Sequence, residues 1–376
     1  MLKKISIQNY KSAQNLSIDL GQVNVFIGEN GCGKTNILEA IAMGGAATEN
    51  KLDNEFLVTR GIRTTEANMM VSRFDKEANI GKDILIGFED EDNEYLQTTL
   101  FCSNDKWHGQ IKIDESLSVS FSLSVESVKN AFRNFGVYDM TRETSLENKK
   151  QFIATNHLSP FLIYAPENYF LRRFEEEGQI RPLGIRGEGL FKHLLDLFKQ
   201  QPEVLQEIKT RLKLIDWFDD LAIPKDLYFG EKRINIRDKF LPDDLTEFDQ
   251  RSANEGFLYL LFYFTLFISP KTPQFFAIDN IDNALNPKLC TKLTSNLVDL
   301  AKTHQKQVIL TTHNPAILDG LDLTDDNQRL FVIYRNAEGH TTTKRIMPPN
   351  DIQGVPSVRL SEAFIRGYLG GLPKNF

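Results

Sequence analysis

Two spacings of apolar residues follow each other in the N-terminal segment. Apolar and polar residues alternate from Leu2 to Tyr10, which predicts a half-buried strand, and residues 16–20 have the pattern of its hairpin partner. The run Val23–Ile27 is short, rich in strand-forming residues and ends at Gly28. After Lys34, apolar residues return at the spacing of a helix. These helical positions are Ile37, Leu38, Ala40 and Ile41.

The middle of the chain changes from strands to helices. Alternating runs separated by polar turns fill residues 83–123, which predicts an antiparallel meander. From about residue 124 to residue 226 the pattern is helical, with one strand-like run at residues 161–165. Two amphipathic helices are predicted in this part, at residues 189–198 and 203–214.

A second alternation of strands and helices fills the C-terminal part, as is typical of an α/β protein. Its predicted elements are a helix from Gly256, a strand at 275–278, a helix from 287 to about 303, a strand at 307–311, a hairpin at 330–346 and a last helix near 361–368. We predict three parts, namely an N-terminal lobe (1–123), a mainly helical insertion (124–249) and a C-terminal lobe (250–376).

Size and composition indicate a globular chain with a large core. Its 376 residues suffice for one large domain or two intertwined domains. The net charge of −7 argues against a broadly basic nucleic-acid binder, although a local basic groove is compatible with it. The three cysteines, Cys32, Cys102 and Cys290, are scattered and indicate neither a disulfide framework nor a paired metal-ligand spacing.

The sequence contains no predicted export signal or membrane anchor. The lysines near the N-terminus are not followed by the apolar stretch of a signal peptide. The most apolar run, residues 257–268, is 12 residues long, whereas a membrane-spanning helix needs about 20. We therefore predict a buried core helix at this run and a cytoplasmic protein.

A phosphate-binding loop is predicted from Gly28 to Thr35, where GENGCGKT matches G-x-x-x-x-G-K-[ST] between a strand and a helix. Glycines let backbone N–H groups approach phosphate oxygens, and the helix N-terminus adds partial positive charge. In such a loop the lysine reaches the β- and γ-phosphates and the threonine hydroxyl binds Mg²⁺. The alternative is a turn that only joins strand to helix. The residues predicted to contact ATP here are Asn30, Gly31, Cys32, Gly33, Lys34, Thr35 and Asn36.

The segment IQNYKSAQNLSIDLGQVNVFIGENGCGKTNILEAI, residues 7–41, resembles the opening of RecF-like and SMC-like ABC-type ATPases. In that group a short hairpin precedes the loop, and a large insertion separates the two lobes, which suits the wide gap between Thr35 and Asp279. The resemblance implies a P-loop ABC-type ATPase head with an antiparallel β subdomain and a helical insertion. It also implies that Lys11 and Ser12 lie near the nucleotide.

The stretch QRSANEGFLYLLFYF, residues 250–264, resembles the signature segment of these ATPases. There, a Ser-x-Gly turn opens an apolar helix and caps the γ-phosphate held by the other subunit. In the register that we favour, Gly256 is the last glycine and Asn254 replaces the serine. In the other register Ser252 is the serine and the glycine is shifted. An ordinary helix N-cap at Asn254 is a third interpretation.

Two more segments resemble motifs of the same group. The run QVILTTHNPAIL, residues 307–318, resembles the H-loop, which would bring His313 to the γ-phosphate. The run NALNP, residues 283–287, resembles the D-loop, which follows the dimer interface. A third run, GIRGEGL at residues 184–190, resembles a glycine-bearing helix start in this branch, and its role is open. Residues 170–173, with Arg181 and Arg186, offer arginines for contact with nucleic acid, but Glu175, Glu176 and Glu177 lie among them, and we favour a surface salt-bridge patch.

The run QFFAIDNIDNALNP, residues 274–287, resembles the strand that carries the Mg²⁺ carboxylate, here Asp279. A catalytic glutamate normally follows, but this chain has Asn280, whose amide cannot accept a proton. Loss of a general base typically lowers the rate by about 10²–10⁴. Four interpretations are open. Hydrolysis is slow, with His313 and a neighbouring acid positioning water, or Asp282 supplies the base from the next turn. Alternatively, the protein is a nucleotide-gated clamp in which hydrolysis is incidental, or Asn280 is a tolerated variant with no regulatory meaning. We favour slow hydrolysis, because most other site elements are present.

The resemblance implies that two heads close around ATP, in a homodimer or higher oligomer. Lys34, Thr35 and Asp279 of one head would act with the signature turn and D-loop of the other. Compact ATPases of this kind often occur in bacterial anti-phage or toxin modules beside an effector. The 63 residues after His313 are too few for a fused Toprim nuclease, so we expect a separate nuclease or toxin partner.

The resemblance implies a nucleotide-gated sensor or scaffold for an effector in bacterial anti-phage or toxin-type defence, and we expect it to hydrolyse ATP slowly. Two alternatives remain. One is a RecF-like repair or replication ATPase that binds duplex DNA. The other is a non-hydrolysing scaffold that holds a toxin inactive.

Overall fold

The computed structural model describes residues 1–74, 83–103, 106–113, 158–174, 180–225, 227–228, 230–242, 247–348 and 358–372. The end of the predicted meander, residues 114–123, and the predicted helices between 124 and 157 lie outside these ranges.

The strands and helices of the described part follow the predicted alternation. The strands are β1 (Leu2–Tyr10), β2 (Ala13–Asp19), β3 (Val23–Ile27), β4 (Ile84–Asp90), β5 (Tyr95–Ser103), β6 (Lys106–Ile113), β7 (Ile163–Tyr164), β8 (Phe218–Ala222), β9 (Asn235–Asp238), β10 (Glu247–Asp249), β11 (Phe275–Ile278), β12 (Gln307–Thr312), β13 (Gln328–Arg335) and β14 (Thr341–Ile346). The helices are α1 (Lys34–Thr48), α2 (Asn54–Thr59), α3 (Ala67–Met70), α4 (Asn168–Arg173), α5 (Leu190–Gln200), α6 (Pro202–Leu212), α7 (Glu255–Ile268), α8 (Pro287–Thr303) and α9 (Leu360–Ile365), with a 3₁₀ helix at Pro315–Gly320.

A six-stranded sheet with the order β14-β13-β3-β12-β11-β7 forms the centre of the molecule. β13, β3, β12, β11 and β7 are parallel, and β14 pairs antiparallel to β13 at one edge. Every residue of β3, β11 and β12 is buried. Strands covered on both faces are expected to be almost continuously apolar, which explains runs such as FFAI in β11.

The two faces of this sheet belong to two cores. Val25 and Leu310 pack with α7 and α8 on one face, whereas Phe26 and Ile309 pack with α1 and a second sheet on the other. The predicted core helix is confirmed, since residues 257–268 are all buried within α7. Burial of each large apolar side chain contributes about 1.5–3 kcal/mol. Within the described ranges, no helix is both long and apolar enough to span a membrane.

The second sheet is antiparallel, with the order β2-β1-β4-β5-β6. It contains the predicted N-terminal hairpin, β1 with β2, and the described part of the predicted meander, β4 to β6. Its inner face shares a core with α1, through residues such as Ile5, Ile86 and Phe88. This sheet therefore covers the outer side of the helix that follows the glycine loop.

The described part of the span 124–249 contains strands as well as the predicted helices. α5 and α6 lie close to the predicted helices, but β8, β9 and β10 form a three-stranded antiparallel sheet that was not predicted. These strands have three to five residues, such as FDDLA and NIRD, and they are too short and polar to show apolar alternation. The same span also contributes β7 to the central sheet.

The last helix is shorter than predicted. α9 ends at Ile365 instead of continuing to residue 368. The backbone N–H of Tyr368 turns back to the carbonyl oxygen of Ala363 at 2.9 Å, a bond typical of a helix C-terminus.

Candidate functional site

The carboxyl ends of three neighbouring strands carry the main group of predicted site residues. β3 and β12 are parallel, and so are β12 and β11, so all three strands end at one edge of the sheet. Gly28 follows β3, Asp279 follows β11 and His313 follows β12. In open α/β sheets, ligands bind outside this edge. The fold therefore gathers residues that lie far apart in the sequence.

The glycine loop turns tightly into the start of α1. Gly33 has a φ of 109°, in the left-handed region that favours glycine. A Cβ on Gly33 would lie 2.0 Å from the Thr341 hydroxyl, and a Cβ on Gly28 would lie 2.1 Å from the carbonyl oxygen of Ile333. Both positions therefore require glycine. The first N–H groups of α1 have no partner within the helix, which makes this terminus suitable for phosphate.

The Lys34 ammonium lies over the glycine loop. Its Nζ donates to the carbonyl oxygens of Gly28 at 2.8 Å and Glu29 at 3.1 Å, and its side chain is buried. Burial lowers the pKa of Lys34, while the carboxylates of Asp279 and Asp282 act in the opposite direction. Neutral carbonyl oxygens are weaker partners for a cation than phosphate oxygens. The Lys34 ammonium can therefore exchange its bonds to the loop carbonyl oxygens for bonds to a bound anion.

Thr35 and Asp279 are in direct contact although 244 positions separate them. The Thr35 hydroxyl donates to Oδ2 of Asp279 at 3.0 Å. The Thr311 hydroxyl donates to Oδ1 of the same carboxylate and accepts the backbone N–H of Asn280 at 2.9 Å. Hydroxyl and carboxylate oxygens are ligands of the kind that Mg²⁺ prefers. The pair Thr35 and Asp279 therefore fits a magnesium site.

A second carboxylate, Asp282, lies beside His313. The Thr312 hydroxyl donates to Oδ1 of Asp282 at 2.6 Å, and the backbone N–H of His313 approaches the same oxygen at 3.4 Å. Although His313 is exposed, partial desolvation lowers its pKa, Lys34 lowers it further, and Asp282 acts in the opposite direction. A lowered pKa keeps the imidazole neutral at pH 7, so one ring nitrogen can accept a hydrogen bond.

Asn254 and Gly256 lie in a second group, at the start of α7. Oδ1 of Asn254 accepts the backbone N–H of Phe257 at 2.8 Å, which is the bond of an ordinary N-cap. A Cβ on Gly256 would lie 3.3 Å from the carbonyl oxygen of Ala284 and 3.4 Å from Leu285. The predicted signature turn thus packs against the predicted D-loop.

Sequence reasoning missed a buried charge cluster beside the glycine loop. Glu39 of α1 is fully buried and accepts Lys11 Nζ and Arg63 Nε, each at 2.6 Å. Arg63 also donates to Oδ1 of Asn36 at 3.1 Å, and Nδ2 of Asn36 donates to the Ser12 hydroxyl at 2.7 Å. The signal in the sequence was a single glutamate among the apolar residues of α1, because such a carboxylate needs cationic partners.

Comparison with known proteins places the chain among P-loop ATPases. Residues 23–319 match the family described as "AAA domain, putative AbiEii toxin, Type IV TA system". The chain belongs to this family. A DNA replication and repair protein RecF from Clostridium perfringens strain 13 is 44% identical over 244 residues, which are 63% of this chain and 61% of that protein. The chain thus spans about three-fifths of the length of this relative.

Solved structures support the fold of this family member. An Smc head bound to the C-winged helix domain of ScpA has a TM-score of 0.58 at 13% identity, covering 92% of this chain and 98% of that one. A Pyrococcus furiosus Smc head with an extended coiled coil, bound to the C-terminal domain of ScpA, has a TM-score of 0.52 at 13% identity, covering 92% and 96%. The prediction of a RecF-like and SMC-like ABC-type ATPase fold is confirmed.

Replacing Glu39 by Gln is expected to lower the free energy of unfolding by about 2–3 kcal/mol, since it leaves Lys11 and Arg63 beside an uncharged buried amide. Chemical denaturation measures the change. The control is Glu203→Gln on α6, which is exposed and should shift stability by less than about 0.5 kcal/mol. Equal losses in the two variants would contradict a special role for the buried cluster.

Proposed function

We propose that this chain binds ATP with Mg²⁺ in the glycine loop and that two copies close around the nucleotide. The contact between Thr35 Oγ1 and Asp279 Oδ2, at 3.0 Å, carries the proposal. It joins the threonine of a phosphate-loop pattern to the carboxylate that the sequence predicts for the same ion. A turn that only connects a strand to a helix would not need a distant carboxylate bound to its threonine.

In this proposal the residues around the loop have separate tasks. Backbone N–H groups from Asn30 to Asn36 hold the phosphates, and the Lys34 ammonium neutralises their charge. Thr35 and Asp279 would hold Mg²⁺, which supplies positive charge to the β- and γ-phosphates. Thr311 keeps the Asp279 carboxylate in one orientation through its hydroxyl.

We further propose that hydrolysis is slow and that Asp282 accepts the proton from the attacking water. Asn280 cannot accept a proton, whereas the Asp282 carboxylate can. Oδ1 of Asp282 is already held by Thr312 at 2.6 Å, beside the backbone of His313. A neutral His313 can orient water by accepting a hydrogen bond. This arrangement supports turnover without the usual glutamate, but not fast turnover.

We propose that closure of the dimer is the functional output. The signature turn at Asn254 and Gly256, with the adjacent D-loop, would come from the second copy and face the nucleotide of the first. A closed dimer would then present a surface to a separate effector, so that nucleotide state becomes a signal. The family description, which names a putative AbiEii toxin and Type IV toxin–antitoxin systems, supports a role in bacterial defence.

A RecF-like role on DNA is the second candidate function. The 44% identity to a Clostridium perfringens DNA replication and repair protein over 244 residues favours it. In that role the closed dimer would bind duplex DNA, and the recruited partners would be repair or replication proteins.

Replacing Lys34 by Ala is expected to weaken ATP binding about 10- to 100-fold, because a charge-assisted bond to phosphate is lost. Isothermal titration calorimetry with Mg²⁺ and ATP measures the dissociation constant. Lys51→Ala is the matched control, since Lys51 lies beyond the far end of α1 and is largely exposed. An unchanged affinity in the Lys34 variant would overturn the proposal.

Replacing Asn280 by Glu is expected to raise steady-state ATP turnover at least about tenfold, because it adds a general base. Asn280→Gln is the control, since it adds the length of glutamate without its basicity. Asp282→Asn should lower the remaining turnover of the wild type. A wild-type rate in Asp282→Asn would contradict the assigned proton acceptor, and an Asn280→Glu variant no faster than wild type would contradict the missing base.

The two candidate functions differ in their response to salt. The RecF-like role requires duplex binding that depends on ATP and falls by orders of magnitude between about 50 and 200 mM salt. The effector scaffold predicts weak duplex binding that ATP does not strengthen. Fluorescence anisotropy with a labelled duplex, with and without ATP, separates the two, and Lys34→Ala removes any ATP-dependent part.

A further inference from the structure

One arginine of α4 gathers the turn that precedes α7. Nη1 of Arg172 donates to the carbonyl oxygens of Arg251 at 2.5 Å, Ala253 at 2.8 Å and Gln250 at 3.4 Å. Three carbonyl oxygens that point towards one place repel one another unless a donor lies between them. A cationic guanidinium is suited to that position, because it is always charged and has no acceptor.

α4 is itself fixed by the glycine-bearing run at residues 184–190, whose role the sequence left open. The backbone N–H groups of Ala165 and Glu167 donate to the carbonyl oxygens of Ile185 and Arg186, each at 2.9 Å. The Arg186 guanidinium lies 4.2 Å from the centre of the Phe170 ring. The run 184–190 therefore holds the backbone between β7 and α4, and through Arg186 it also holds the Phe170 ring of α4.

The Arg186 side chain is in turn held by a nearly buried carboxylate. Glu188 accepts Arg186 Nε at 2.7 Å through Oε1, and it accepts the backbone N–H of Arg186 at 2.9 Å through Oε2. Both bonds are charge-assisted, which makes them stronger than bonds between neutral groups. The position of α4 is thus set by several bonds.

The other end of the same segment touches the nucleotide edge. β7 pairs in parallel with β11, and the backbone N–H of Asp279 donates to the carbonyl oxygen of Tyr164 at 2.8 Å. A continuous path therefore leads from the backbone of Asp279 through β7 and α4 to the Arg172 guanidinium. That guanidinium ends on the turn in front of Asn254.

We propose that Arg172 is a positioning residue that sets the turn at residues 250–254 for the nucleotide of a second copy of this chain. The inference rests on the proposed function, since it assumes that two copies share each site. Arg172 holds the turn of its own copy, and that turn faces the nucleotide bound by the other copy. Its effect on the nucleotide is therefore in trans. Loss of the guanidinium loosens the turn. The carbonyl oxygen of Arg251 lies at the surface, so water can donate a hydrogen bond to it in place of the lost guanidinium.

Arg172→Gln is the first test, with Arg173→Gln as its control. Arg173 lies on the same helix, has the same charge and stacks at 4.7 Å on the Tyr169 ring. Arg172→Gln should leave the affinity of dilute, separate copies for ATP within about twofold of wild type, and should lower ATP-dependent dimer formation and turnover at least about tenfold, as misplaced reacting groups do. Arg173→Gln should retain both.

Mixing two defective variants shows which copy Arg172 serves. Lys34→Ala and Arg172→Gln are each expected to show strongly reduced ATP-dependent association and turnover alone. In their mixed dimer, one site combines an intact Lys34 with the intact turn of the Lys34→Ala copy. Equimolar mixing should therefore raise association and turnover above those of either variant alone, whereas a residue that acts on its own nucleotide would give no such gain.

The outcomes distinguish this inference from the proposed function. If wild-type protein shows no ATP-dependent dimer, the proposed function fails before any variant is needed. If wild type forms the dimer but Arg172→Gln behaves as wild type, or weakens ATP binding in its own copy, or fails to complement Lys34→Ala, the inference is wrong. Should Arg172→Gln fail to fold, Arg172→Lys replaces it, because it keeps the positive charge and the aliphatic stem but its ammonium stops short of the position of the Arg172 Nη1 group. Wild-type turnover in Arg172→Lys would then overturn the assignment, whereas a loss of at least about tenfold with restored association on mixing would support it.

Discussion

Parallel pairing of β3, β12 and β11 is the constraint on which the rest of the molecule depends. The register places Ile27 opposite Thr312 and Ile278 opposite Leu310, so the three strands end within two residues of one another. A slip of one residue would turn every side chain of a strand to the other face. It would also exchange the side chains that the two cores receive, such as Val25 and Phe26. The cores on both faces of the sheet therefore fix the register, and the register fixes the site.

Adjacent threonines at the end of β12 show how this constraint reaches the chemistry. Thr311 holds one oxygen of Asp279, and Thr312 holds one oxygen of Asp282. Neighbouring residues of a strand point to opposite sides, so a single strand end orients two carboxylates of the turn that follows β11. A valine at either position would suit a buried strand equally well in shape. The hydroxyl groups therefore serve the carboxylates.

The parts of the fold that the sequence predicts have local signals. β3, the glycine loop and α1 are encoded within one short run, and α7 is apolar on every side. The Glu39 cluster joins positions 24 and 28 residues apart, and Arg172 reaches carbonyl groups 78 to 81 residues away. Bonds between such distant positions leave no periodic pattern in a single sequence. β8 to β10 are missed for a different reason, since they are short and rich in polar residues and therefore show neither an alternation nor the apolar run that marks β3 and β11.

The backbone at position 280 gives a structural reason for an asparagine there. Asn280 has a φ of 55°, in a left-handed region that asparagine enters more readily than glutamate. This conformation directs its N–H onto the Thr311 hydroxyl, which also holds Asp279. Asparagine thus favours the geometry of the carboxylate proposed to hold the metal, while it removes the usual general base. That exchange suits a protein whose function depends on how long it stays closed around the nucleotide, and it would handicap one that depends on rapid turnover.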